Sequence, residues 1–150
     1  MYHTEFIRFN QLGGLTLYQL LKLRTDIFVV EQECAYSELD DRDQEAIHAL
    51  AYADQQLIGC LRVLPKNQSG DVAIGRVAVH ADFRSHGIAR RLMNEAIEHI
   101  RTQEETGIYL QAQAHLKKFY ASFGFEETSD VYLEDGIPHL DMHLSLKEEY

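Results

Sequence analysis

The residues best placed to do chemistry lie in one short run, Arg84, Ser85, His86 and Gly87, between an apolar segment and an amphipathic one. From Ile88 onward, Ile88, Leu92, Ala96 and Ile100 recur at helical spacing, with Ala89, Met93 and Ile97 beside them. A loop that feeds a helix N-terminus presents backbone N–H groups with no intrahelical acceptor, and the helix dipole adds partial positive charge there. Such ends bind anions. The side chains point the same way. Between residues 76 and 91, Arg76, Arg84, Arg90 and Arg91 stand against Asp82 alone, in a chain whose formal net charge is −10. A positive island on an acidic protein gathers polyanionic ligands. The loop lacks the G-x-x-x-x-G-K-[ST] frame of a P-loop.

Two further sets of residues invite a chemical reading. Glu31, Glu33, Glu38, Asp40, Asp41, Asp43 and Glu45 stand close together against the single base Arg42. This run is either a solvated acidic loop or a surface that favours cationic amines. Eight histidines raise the question of a metal. They fall on different elements, with no H-x-x-x-H pair on one helix and no cysteine at ligand spacing, so no metal is expected.

These groups are carried on elements that the apolar pattern outlines. His3 to Phe9 reads as a first strand. Leu17, Leu20, Leu21, Ile27 and Phe28 give a helix with Arg24 on its apolar face, either snorkelling at the helix end or aimed at an acidic partner. Ala46 to Tyr52 and Leu57 to Leu64 form a hairpin across Asp54 to Gln56. Val72 to Val79 is a strand in which Gly75 marks a bulge or a close backbone approach. Ile108 to Gln113 is a short strand and His115 to Phe123 a short helix ended by Gly124. Two strands should follow, split by the turn Glu134 to Pro138. The order β-α-β-β-β-α-β-α-β-β implies an α/β (α+β) mixed sheet flanked by helices.

Size and composition set bounds on this picture. At 150 residues, 45% hydrophobic and 25% charged, the chain is expected to form a single domain over residues 1–150. No apolar run reaches the roughly 18 residues needed to cross a bilayer, and no signal peptide is evident, so a cytoplasmic location and no membrane partner are expected. Cys34 and Cys60 are expected to be free thiols. The acidic balance argues against nucleic-acid binding, which depends on Lys and Arg. Strand edges near the C-terminus would permit a homodimer.

The spacing Arg84-x-x-Gly87-x-Ala89 resembles the Q/R-x-x-G-x-G/A loop of the GNAT superfamily of acetyl-CoA-dependent N-acetyltransferases. Phe119-Tyr120 followed three residues later by Gly124-Phe125 resembles a second signature of that superfamily. The runs Phe28-VVEQ, Ala112-QAHL and Glu134-DGIPH are similar to its ElaA-like branch. The resemblance spans essentially the whole chain and implies the GNAT acyl-CoA N-acyltransferase fold. It also implies acetyl-CoA as co-substrate. Val77, Ala78 and Val79 would offer backbone groups to the pantetheine arm. Arg84, Ser85, His86, Gly87, Ile88 and Ala89, with Arg90, would hold the pyrophosphate. Gln113 stands where the family often has an asparagine that contacts pantetheine.

The implied reaction is attack by an amine on a thioester, and a tyrosine suits it. A phenol with a pKa near about 10 stays protonated at neutral pH and can protonate the departing sulfur. Tyr120 is the expected general acid. An alkylammonium with a pKa near about 10.4 is neutral only about once in 10³ molecules at pH 7, so its proton must also be removed. Glu31, His80 and His139 are candidates for that base or for acceptor contacts, and the residue pattern does not choose among them. The expected acceptor is a primary amine of a small molecule or peptide, of cationic character if the acidic run faces it. Two alternatives remain open. One is an acyl-homoserine-lactone-synthase-like acyltransferase, faintly suggested by Arg24, Phe28, Asp40 and Asp43. The other is a non-catalytic acyl-CoA-binding module.

Overall fold

The computed structural model describes residues 1–147. The strands are β1 (Tyr2–Arg8), β2 (Ile47–Ala53), β3 (Gln56–Leu64), β4 (Val72–Val79), β5 (Gly107–Gln113), β6 (Glu126–Glu127), β7 (Tyr132–Glu134) and β8 (Ile137–Ser145). The helices are α1 (Gly14–Thr25), α2 (Ile88–Thr102) and α3 (Lys117–Ala121). The strands form one mixed sheet in the order β1-β2-β3-β4-β5-β8-β6, with β7 also paired to β8. Among the described residues only β4 and β5 run parallel. This is the architecture anticipated from the apolar pattern, with one difference at the C-terminus. Three strands follow α3 where two were expected, because Glu126–Glu127 pairs with Met142 and His143 of β8. A two-residue acidic strand has no apolar alternation by which to be recognised.

The helices cover opposite faces of the sheet. On α2, Ile88, Leu92, Met93, Ala96, Ile97 and Ile100 are buried against Ala49, Ala51, Ile58, Leu61, Ile108 and Met142. Truncating a wholly buried residue such as Leu92 would cost about 2–5 kcal/mol. On the other face, Leu20, Leu23 and Ile27 pack against Leu50, Leu57, Cys60 and Ala78. β3 is therefore buried on both sides, which explains why it reads as a near-continuous apolar run. The β2–β3 hairpin turns at Asp54, whose φ of 53° is tolerated by an aspartate. After α1 the chain continues as a π-helical turn, Asp26–Glu31, which carries Glu31 beyond the end expected for a regular helix.

The feature that makes a site possible is a parting of strands. β4 and β5 pair only at Val72↔Ile108 and Ala73↔Tyr109 and then diverge. β5 stays in the sheet because its other edge pairs with β8 along its whole length. β4 is bent by a bulge: Cys60 faces Ala78 and Arg62 faces Gly75, so Arg76 and Val77 together oppose Leu61. The extra residue increases the local twist. The conformational load falls on Arg76, with φ 53°, not on Gly75, where an added Cβ would meet nothing within 4 Å. The bulge alternative for Gly75 thus holds one residue further on, and the close-approach alternative does not. Among the described residues no helix is long and apolar enough to cross a membrane.

Candidate active site

A cleft of about 720 Å³ opens between the diverging strands. One wall is β4 from Gly75 to Val79. The other is β5 from Leu110 to Gln113, with Tyr120 from α3. Ile27, Phe28, Glu31 and Gln32 close over it, and Tyr36, Asp40, Arg62, Arg76, Glu134 and His139 line the far end.

Strand parity decides which backbone groups of β4 face this space. The His80 N–H bonds the Ile58 carbonyl at 2.7 Å, and Ala78 pairs with Cys60. Alternation then turns the main-chain groups of Val77 and Val79 away from β3, toward the cleft. Ala78 turns its main chain to β3 and its side chain into the second core, and it also lines the cleft.

The loop and helix start as expected. Gly87 is the N-cap of α2 in the left-handed region (φ 75°), and Ser85 also has positive φ (67°). The first intrahelical bond runs from Arg91 N–H to the Gly87 carbonyl at 3.0 Å. The N–H groups of Ile88, Ala89 and Arg90 precede it and so lack a helical acceptor. The Ile88 side chain is buried and the Gly87 backbone exposed, so this turn offers main chain and little else. His86 is tied back, its Nδ1 2.9 Å from the Tyr2 hydroxyl.

The positive island is smaller than the charge count suggested. Arg76 is bound to Glu38 (2.9 Å) and lies 3.5 Å from Asp40. Arg91 pairs with Glu95 one turn on (2.7 Å), and Arg84 with Glu31 (2.9 Å). Arg90 has no carboxylate partner among the described residues. Its guanidinium lies 5.3 and 4.9 Å from the ring centroids of Phe119 and Phe123 and donates to Ser122 Oγ (3.1 Å), joining α2 to the helix that bears Tyr120.

The acidic run is also spent internally. Arg24, Glu38, Arg76, Asp40, Arg62 and Asp43 close a ring of alternating charge. Arg24 meets Glu38 at 2.6 Å and Asp43 at 2.7 Å, while Arg62 meets Asp43 at 2.9 Å and Asp40 at 2.5 Å. The Tyr36 hydroxyl donates to Glu38, and Arg76 lies over the Tyr36 ring. Hydrogen bonding from Arg62 holds the Asp40 carboxyl well below the usual carboxylate range, despite burial that acts against it. For Asp43, burial raises the pKa but the pull of Arg24 and Arg62 prevails, and the net direction is down. Three of the seven carboxylates are therefore counterions of three arginines. They do not form an open field for a cationic ligand, which corrects that part of the electrostatic expectation. Arg24 points at acidic partners, as one of its two readings required. Arg62 escaped notice, although a charged residue inside an apolar strand signals a buried ion pair.

The remaining candidates gather at the cleft. Tyr120 is buried to 7% exposure, with Phe119 and Phe125 edge-on to its ring. Burial alone pushes its phenol up to about 12. Gln113 donates to Gln32 Oε1 (3.3 Å), bridging β5 and the segment after α1. His139 places Nδ1 2.7 Å from the Ile137 carbonyl, with the Tyr132 ring stacked on it. A carbonyl only accepts, so Nδ1 carries the proton and Nε2 keeps its lone pair in the neutral ring. Nε2 lies 4.0 Å from Glu134. Nearby, the Tyr109 and Tyr132 hydroxyls both donate to Asp141 (3.2 and 2.6 Å), a cluster that sequence spacing did not reveal.

Comparison with known proteins gives one answer. A family model described as "Acetyltransferase (GNAT) domain" matches residues 21–146. A "UPF0039 protein" of Schizosaccharomyces pombe is 41% identical, over 97% of this chain and all of that protein. The crystal structure of an acyl-CoA N-acyltransferase from Pseudomonas aeruginosa is 39% identical with a TM-score of 0.90, covering 95% of this chain and 99% of its own. Escherichia coli ElaA, also known from a crystal structure, is 36% identical with a TM-score of 0.87 at the same coverage.

Proposed function

The chain belongs to the GNAT acetyltransferase family, and on that premise we propose that it moves an acetyl group from acetyl-CoA to the nitrogen of a primary amine by direct attack. The observation that carries this reading is the parting of β4 from β5 beside the start of α2. The residues present fit an acyl-CoA. Main-chain groups of Val77 and Val79 meet the amides of an extended pantetheine arm, as an added strand would. The N–H groups from Ser85 to Arg90 take the diphosphate, and Gln113 reaches the arm from the opposite wall. Bound there, the thioester supplies an activated acyl carbon.

Tyr120 steadies the departing sulfur and His139 takes the proton of the amine. With its pKa raised to about 12, the Tyr120 hydroxyl is fully protonated at neutral pH. Complete transfer to a thiolate of pKa near about 8.5 would be uphill by about 5 kcal/mol. Tyr120 therefore acts by donating a hydrogen bond to the sulfur as negative charge builds on it. His139 presents the Nε2 lone pair to the amine nitrogen and takes its proton as the new N–C bond forms, when that nitrogen becomes far more acidic than the free ammonium. The deprotonation is worth roughly 4–5 kcal/mol at pH 7 for an unassisted alkylamine.

The test is release of free thiol from acetyl-CoA in the presence of an amine panel. Release that depends on amine is expected. Tyr120→Phe should lower kcat by about 10²-fold, the low end for acid–base groups, with CoA affinity and thermal stability unchanged. Binding of acetyl-CoA without release would leave only a binding module. Reaction confined to longer acyl donors would favour a synthase-like acyltransferase.

A further inference from the structure

We infer that the outer face of α1 is the contact by which two copies of this chain pair about a two-fold axis. A helix that covers one side of a sheet buries one stripe and shows a polar one to water. α2 does so, its exposed positions being Arg90, Asn94, Glu98, Arg101 and Thr102. α1 does not. Leu20 and Leu23 face the sheet, yet Leu15 and Tyr18 on the other side are 72% and 66% exposed. Val30, on the π-helical turn that continues α1, is 65% exposed. Exposed apolar residues grouped on one face mark an interaction site.

The order of residues along this face selects the partner. Tyr18, Lys22, Asp26 and Val30 follow one another at intervals of four, with Leu15 one turn before Tyr18. In an uninterrupted α-helix Val30 would sit about 120° around the axis from Tyr18. The wider π-helical turn winds less per residue and returns Val30 toward the stripe. The face therefore reads apolar, positive, negative, apolar, which is its own complement when reversed. Two copies laid near-antiparallel, with the axis midway between Lys22 and Asp26, set Tyr18 against Val30 of the second copy and Lys22 against its Asp26. Within each copy Lys22 Nζ lies 2.6 Å from Asp26 Oδ2, and both side chains are more than half exposed. Pairing thus closes a square of four alternating charges between apolar ends. Such a network holds better than an isolated surface pair, and self-complementarity is what a two-fold contact requires. Beside the stripe, a hollow of about 230 Å³ lined by Gln19, Lys22, Leu23, Asp26, Leu57 and His80 leaves room for the second helix. A partner of uniform charge would meet half of the stripe with repulsion.

Sedimentation velocity on the full chain tests this. The unmodified protein should dimerise with a Kd at or below about 10 μM, more weakly as salt rises. Lys22→Asp and Asp26→Lys each turn both cross-axis pairs into repulsions and should raise Kd by about 10²-fold. Mixed in equal amounts, the two variants should form a heterodimer nearly as tight as the unmodified dimer, because opposite charges then meet across the axis. Both positions are exposed, so circular dichroism should show the native fold in each variant. Tyr18→Glu should also leave a monomer. An unmodified protein that stays monomeric up to about 1 mM would overturn the proposal. So would a dimer that both reversals leave intact, which would place the contact on another surface, such as the strand edges near the C-terminus. Failure of the mixed variants to associate would overturn the two-fold pairing of Lys22 with Asp26.

Discussion

Arg24→Met tests what the ring of alternating charge contributes. The guanidinium is 1% exposed and holds two carboxylates at 2.6 and 2.7 Å. Methionine matches much of its stem but carries no charge, so a buried site gains a net negative charge. Removing one partner of a buried ion pair typically costs about 3–5 kcal/mol. Here Asp43 retains Arg62, and Glu38 retains Arg76 and the Tyr36 hydroxyl. The cost therefore falls at the low end, about 3 kcal/mol. For a chain of 150 residues that is a fall in Tm of about 6–12 °C. The penalty must also depend on pH. The folded pKa of Asp43 is depressed, so its contribution is complete above the unfolded carboxylate value of about 3.9 and is lost as pH falls through the folded value. The two proteins should differ most near neutrality and converge in acid. Thermal and urea unfolding followed by circular dichroism at pH 7 and below pH 4 would measure this. A loss under about 1 kcal/mol at pH 7, or a difference that grows in acid, would refute the reading that Arg24 balances buried, ionised carboxylates.

Two further outcomes can be checked with simple reagents. Gly107→Ala should destabilise the protein by about 1–3 kcal/mol. A Cβ there would lie 2.7 Å from His143 Nε2 and closer still to Asp71, and would force apart a pair that bridges β8 and the start of β4 at 3.1 Å. Wild-type stability from the replacement would show that this corner yields freely. In the native protein at pH 8, an alkylating reagent should label Cys34, which is partly exposed, far faster than Cys60. Burial pushes the Cys60 thiol up to about 12, so it presents almost no thiolate. Comparable rates for the two cysteines would contradict the packing of β3 against α1.

Much of the molecule was legible because it is written in local periodicity. The stripe from Ile88 to Ile100 could be only an amphipathic helix. The apolar runs at Leu57 to Leu64 and Val72 to Val79 could be only buried strands. Gly87 ahead of that stripe announced a helix start with free amides. The GNAT fold and family followed from the motif Arg84-x-x-Gly87-x-Ala89 and the Phe119-Tyr120 signature. What stayed hidden was interaction between residues far apart in the chain. Nothing in the runs around Glu38, Asp40 and Asp43 says that Arg62 and Arg76 will consume them. Nothing near Arg84 names Glu31 as its partner.

The amino-acid order determined which segments fold, which faces they bury, and where a helix would begin with its N–H groups free, because these depend on spacing within a few turns. Only the tertiary structure decided where charge survives. Ion pairing falls off within a few ångströms, and the distances that matter are set by the bend of β4 at Arg76 and by the π-helical turn that carries Glu31 across the cleft.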